Sequence, residues 1–198
     1  MRRLLAAALL AATLAGCGAE EVGAPAADVA RAAYVHGGAP SLTLITVLNE
    51  RSGEGAHTGL MVNGSQRVMF DPAGTFNTTR VLPERGDVLY GMTPAYYQAY
   101  VDYHTRVTFR TVEQTVEVSP EVAEAALRLV QASGPSSKAG CAMNTSAVLR
   151  QLPGFEGVGR SWFPKSIMRD FAGLPGVATR TYRDDDPDEN AMKRARAL

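Results

Sequence analysis

Three residues of this 198-residue chain have types and settings suited to one kind of chemistry: His57 in His57-Thr58-Gly59-Leu60, Asp71 after Phe70, and Cys141 in Gly140-Cys141-Ala142. Cys141 is one of two cysteines, and the other, Cys17, closes an N-terminal apolar segment, so Cys141 has no evident disulfide partner. It opens a run in which Thr145, Val148, Leu149 and Leu152 recur at helical spacing. A cysteine in the first turn of a helix meets the positive end of the dipole and its free N–H groups, which favour thiolate over thiol. That effect is at most ~2 kcal/mol, or roughly 1.5 pKa units, so a thiol of ordinary pKa ~8.5 reaches only about 7 by this route. A working nucleophile needs a histidine as well. The same spacing also fits a buried structural cysteine, because residues 141, 145, 148 and 152 share one helical face.

Together the three residues can make a thiol hydrolase. Cys141 would attack a carbonyl carbon. His57 would hold the thiolate as an ion pair and then protonate the leaving group, while Asp71 orients the imidazole. The backbone N–H of Cys141 would supply one oxyanion donor. Other chemistries lack their parts. There is no HExxH, CxxC or EF-hand pattern and the three histidines are widely separated, so no metal is expected. G-x-S-x-G and S-x-x-K are missing, and no Gly-rich phosphate loop joins a strand to a helix, so no cofactor is expected. The Asp184-Asp185-Asp186 run reads as solvated charge.

The elements that must position these residues follow from periodicity. Ser41 to Leu48 is a β-branched, apolar central strand. His57 to Val62 and Gln66 to Asp71 are short strands around the hairpin signal Asn63-Gly64-Ser65, and Val88 to Tyr90 is a further strand. Thr93-Pro94 starts a helix to about His104, with Tyr96, Tyr100 and Tyr103 on one face packing it on the sheet or walling a groove. His104 closes that helix, where the dipole favours a charged ring; His36 sits in a loop and faces solvent. Arg106 to Val118 is a strand whose inward parity switches, which suggests a bulge near Arg110. Ser119-Pro120 caps a helix through about Ala132, with Val122, Ala126, Leu129 and Val130 as its buried stripe. A short helix covers about Lys165 to Phe171.

The hairpin decides whether Asp71 can reach His57, because side chains alternate faces along a strand. A two-residue Asn63-Gly64 turn sends Asp71 to the far side. An odd loop, Asn63-Gly64-Ser65, sets His57 directly opposite Asp71 and puts Leu60, Val62, Val68 and Phe70 on the other face. Burying four large apolar side chains together, at roughly 1.5–3 kcal/mol each, outweighs a turn preference of about 1 kcal/mol. The odd loop is therefore expected.

With its histidine strand first, a polar partner on the next strand and the nucleophile opening a later helix, the chain resembles the circularly permuted branch of the NlpC-like papain-fold thiol hydrolases, the branch related to lecithin:retinol acyltransferase. The matching residues are His57, Asp71 and Cys141, and the resemblance covers about Ser41 to Phe155. Two positions depart from the pattern: Gly140 stands where relatives often carry a polar residue, and Asp71 where they commonly carry His, Glu or Gln. The resemblance implies an α+β fold of permuted papain-like type, a small antiparallel sheet packed against helices. It also implies a peptide, amide or acyl-ester substrate. A non-catalytic lipoprotein that binds or scaffolds on the same fold, and a thiol sensor, are the competing readings.

Residues 1–16 read as a signal peptide: Arg2-Arg3, then an apolar run from Leu4 to Leu14 too short to span a bilayer. Leu14-Ala15-Gly16-Cys17 resembles the bacterial lipobox, which makes Cys17 the lipidation site and places the protein in the cell envelope. Gly18, rather than Asp, after the cysteine implies the outer membrane, facing the periplasm. Residues 17–40 are rich in Ala, Gly and Pro and read as a lipid-anchored tether, 41–175 as the hydrolase domain, and 176–198 as a charged, frayed tail. Cleavage leaves 182 residues with 18 basic and 20 acidic side chains, a formal charge of −2, so nucleic acid is not an expected partner.

Overall fold

The computed structural model describes residues 23–77, 80–185 and 187. The expected signal peptide, Cys17 and the chain after 187 lie outside these described residues. Seven strands form one antiparallel sheet: β1 (Ser41–Asn49), β2 (Gly55–Asn63), β3 (Arg67–Phe70), β4 (Glu84–Arg85), β5 (Val88–Tyr90), β6 (Phe109–Glu117) and β7 (Ala178–Tyr182), in the order β4-β5-β3-β2-β1-β6-β7. Five helices are described with it: α1 (Ala26–Ala32), α2 (Pro94–His104), α3 (Pro120–Ala132), α4 (Cys141–Leu149) and α5 (Pro164–Ala172). The fold is α+β. No described helix is long and apolar enough to cross a membrane.

Strand β1 is buried along nearly its whole length because both sheet faces are covered, which is why its sequence is continuously apolar or β-branched. On one face Leu42, Leu44, Leu60, Val62, Val68 and Phe70 pack with Ala126, Val130, Val148, Leu149, Ile167 and Phe171 from α3, α4 and α5. On the other, Ile45, Met61, Met69 and Leu89 pack with Tyr100 and Tyr103 of α2. Both capped helices begin where their sequences require. Thr93 Oγ1 accepts from the N–H of Tyr96, and Ser119 Oγ from that of Val122, each with proline next in the helix. On α3 the fully buried residues are Ala123, Ala126, Leu127 and Val130, so the stripe is rotated from the expected one; Val122 and Leu129 lie at its partly buried margin.

Four expectations are corrected. β6 pairs with β1 without a register break from Ser41↔Glu117 to Asn49↔Phe109, so there is no bulge at Arg110. The parity switch arises because Val107 lies in a tight turn, closed by reciprocal backbone hydrogen bonds between Arg106 and Phe109, and is 56% exposed. Residues 23–40 are not a free tether. They contain α1, and the carbonyls of Tyr34, Ala39 and Pro40 accept from Arg67, Asn63 and Val118 respectively, strapping the segment onto the domain. The sheet also continues past 175, since Ala178–Tyr182 pairs with β6 as an edge strand.

The fourth concerns the hairpin. The loop is odd and three residues long, but it comprises Gly64, Ser65 and Gln66, with Asn63 paired to Arg67 and Leu60 to Phe70. Glu124 of α3 accepts from both the backbone N–H and the hydroxyl of Ser65, which pins the loop one residue further on than the turn signal suggests. The apolar face is the expected one. Asp71 keeps the parity of His57, but in this register it lies beside Gly59, diagonal to His57 instead of directly opposite.

Candidate active site

The site forms where β2 outruns its neighbour. β3 ends at Phe70, opposite Leu60, so residues 55–59 of β2 have no β3 partner. Cys141 of α4 fills that gap. The His57 ring and the backbone N–H groups of Thr58 and Ala142 act on its sulfur, each favouring thiolate over thiol. Cys141 is a free thiol, 7% exposed.

His57 joins the other two residues. Its Nε2–H donates to Asp71 Oδ1 at 2.7 Å. Nδ1 is therefore the nitrogen left free to act on Cys141, on the ring edge away from the carboxylate. Burial alone would suppress the charged imidazole. The Asp71 carboxylate, with Cys141, outweighs it and raises the His57 pKa to about 10. Burial likewise opposes ionisation of Asp71, yet the His57 charge and hydrogen bond hold its pKa below the ordinary value. Cys141 shows the same balance. Its partial burial favours the thiol, while the His57 contact and the two N–H groups prevail and lower its pKa. At neutral pH the His57 ring is therefore charged and backed by the Asp71 carboxylate, and it draws the Cys141 thiol toward thiolate.

Asp71 is fixed from three sides. The Tyr100 hydroxyl donates to the same Oδ1 at 2.6 Å. Gly59 is empty space that Asp71 and Tyr100 need: a Cβ there would stand 2.7 Å from the Tyr100 oxygen and 3.2 Å from the Phe70 carbonyl oxygen. Gly74 is more constrained still, since a Cβ would fall 1.8 Å from Asp71 Oδ2, and its N–H donates to the Asp71 carbonyl at 2.9 Å.

His104 stands behind His57, ring on ring, with centroids 5.3 Å apart and planes 7° from parallel. Its Nδ1–H donates to the Tyr100 carbonyl at 2.9 Å, and it is buried. Burial and the charge on His57 together lower its pKa to about 4, so the ring is neutral at pH 7. This corrects the expectation of a dipole-stabilised, charged histidine: charge on His57 and loss of solvent outweigh the helix end. His57, Asp71 and His104 also bring ligand atoms within 4.8 Å of one another, a donor set able to take a divalent cation in place of the His57 proton.

The loop before Cys141 explains the glycine that precedes it. At Gly140 a Cβ would lie 2.8 Å from Asn144 Nδ2 and 2.9 Å from the Ser137 carbonyl oxygen, so no polar side chain fits there. Ala139, one residue earlier, has φ of 62°, which turns the chain sharply into α4. No side chain caps α4, which leaves its first-turn N–H groups for the sulfur and for a developing oxyanion. Tyr100, Gly59, Gly74 and His104 were not foreseen as site residues. The one sequence signal for them was the spacing of Tyr100 and His104 on α2, which also fits simple packing.

A cavity of about 950 Å³ lies elsewhere, lined by α1 and the 80–87 segment with Asp28, Arg31 and Glu84. Among the described residues that line it there is no thiol or hydroxyl nucleophile, so the chemistry points to Cys141. No family model matches the chain, and no curated protein or solved structure matches it either.

Proposed function

We propose that the protein is a cysteine hydrolase of the circularly permuted, NlpC-like papain type, acting on a peptide, amide or acyl ester in the bacterial cell envelope. The observation that carries this reading is His57 hydrogen-bonded to Asp71 at 2.7 Å, with the charged ring acting on the free Cys141 thiol to lower its pKa. The thiolate of Cys141 adds to the substrate carbonyl carbon. The Cys141 backbone N–H, at the open start of α4, donates to the oxyanion. His57 Nδ1–H then protonates the departing amine or alcohol, leaving a thioester on Cys141. His57, now neutral, takes a proton from the attacking water, and collapse of the second tetrahedral species restores the thiolate–imidazolium pair. Asp71 stabilises the charged ring throughout, with Tyr100 holding the carboxylate. Lipidation at Cys17 would keep this chemistry at the outer-membrane surface, facing the periplasm.

A non-catalytic binding or scaffold role on the same fold is the second reading, favoured by the low exposure of Cys141. One experiment separates them. Incubation with p-nitrophenyl acyl esters and with peptide amides, followed by intact mass measurement, is expected to show an acyl adduct on Cys141 and turnover that Cys141→Ala abolishes. Neither adduct nor turnover with an activated ester would remove the hydrolase reading.

A further inference from the structure

At the other end of the β2 face that carries His57 lies a small cavity of about 190 Å³. Arg67, Asn63, Ser41, Thr43, Thr115 and Glu113 line it from four neighbouring strands together with Met61, and Tyr97 of α2 and His36 complete the lining. All seven strand residues have odd numbers in registers that place them on one face, with Asn63 six residues along β2 from His57.

Two buried polar atoms there have no partner among the described residues. Arg67 is 4% exposed, and its Nη2 reaches no acceptor among the described residues. Its Nε–H is used by the Met92 carbonyl at 2.6 Å, and the guanidinium is flanked by the rings of Tyr34 and Tyr97 at 5.3 and 6.0 Å. Among the described residues no carboxylate pairs with it; Glu113 is engaged by the hydroxyls of Tyr97 and Tyr182. Asn63, also 4% exposed, spends its Nδ2–H on the Ala39 carbonyl at 2.8 Å, which fixes the amide orientation and leaves Oδ1 as a vacant acceptor. A buried, unspent guanidinium donor is costly, and an acceptor left empty beside it adds to the cost.

A donor bearing positive charge and an acceptor in one small cavity select a ligand with the opposite pair. We propose that this cavity binds a small carboxylate carrying an adjacent N–H group, either a free α-amino acid or the C-terminal residue of a peptide. The carboxylate meets Arg67 Nη2, and the N–H or ammonium meets Asn63 Oδ1 with the Glu113 carboxylate beyond it. The cavity volume fits one small residue. The site does not depend on Cys141 or on hydrolysis.

The test is a heteronuclear NMR titration of the whole protein with four probes: alanine, N-acetylalanine, acetate and methylamine. Alanine or N-acetylalanine is expected to bind saturably, shifting the amides of Asn63, Thr43 and Thr115 but not those of Thr58 or Ala142. Tighter alanine than N-acetylalanine identifies a free amino acid as the ligand, and the reverse identifies a peptide C-terminus. Acetate and methylamine should each bind at least tenfold more weakly. Arg67→Gln, checked for folding by circular dichroism, should weaken binding tenfold or more. If that variant does not fold, the wild-type titration decides. Saturation by none of the probes, acetate binding as tightly as alanine, or shifts confined to Thr58 and Ala142 would each overturn the proposal.

Discussion

His57 is the residue on which the site's charge balance turns. Its pKa of about 10 results from the Asp71 carboxylate and Cys141 overcoming burial, with the ring pressed against neutral His104. Asp71→Asn keeps the shape but removes the charge. The imidazole is then expected to titrate several units lower, and acyl transfer to fall on the order of 10²–10⁴-fold. An NMR titration of the His57 ring protons checks the first effect, and turnover of the substrate found by the ester and amide panel checks the second. Unchanged His57 titration in this variant would mean that Asp71 does not set the ring's charge. Tyr100 donates to the same oxygen, so in the proposed mechanism it would act through Asp71, as a positioning residue.

At the scale of elements, the site depends on where β3 stops and how β2 is spaced. Gly59 lets Asp71 and the Tyr100 hydroxyl occupy the face of β2 beside His57. Gly59→Ala should push Tyr100 off Asp71 and cost about 1–3 kcal/mol of stability, as overpacking of a tight site does. Denaturant unfolding measures the loss; a variant as stable as the parent would show that α2 simply shifts to make room. These elements also show what the sequence could tell. The apolar parity of Leu60, Val62, Val68 and Phe70 announced that Asp71 and His57 share a face, because burying one side of a hairpin fixes its parity. It could not announce the register, which Glu124 sets from a helix 59 residues away in the chain. Nor could it foretell the Tyr100–Asp71 bond, since a tyrosine stripe on a helix reads the same whether its hydroxyls face a carboxylate or a core.

At the scale of the whole molecule, the domain is larger than its periodic core suggested. Residues 23–40 and Ala178–Tyr182 both join it through backbone hydrogen bonds, which hydrophobic patterning does not register. With Ala24 already bonded to Glu84, only a few residues separate the described domain from Cys17. A lipid on Cys17 would therefore hold the domain within about 20–25 Å of the bilayer, at ~3.3–3.6 Å per extended residue. Cys17→Ser is expected to move the protein from the membrane to the soluble fraction while leaving its folding unchanged, as judged by fractionation and circular dichroism. Wild-type protein found soluble, with Cys17 unmodified, would contradict the anchor.

The central claim is that the folded chain presents Cys141 as a thiolate held by His57. The direct measurement is the rate of iodoacetamide alkylation of Cys141 across pH 5 to 10 in the native protein, read by mass spectrometry. Because its pKa is lowered, the rise of the rate with pH should come below the ordinary thiol range. His57→Ala should carry the rise toward the ordinary thiol range, roughly pH 8.5. A wild-type thiol that reacts only above about pH 8, or only after unfolding, would contradict the account and leave Cys141 as a buried core residue.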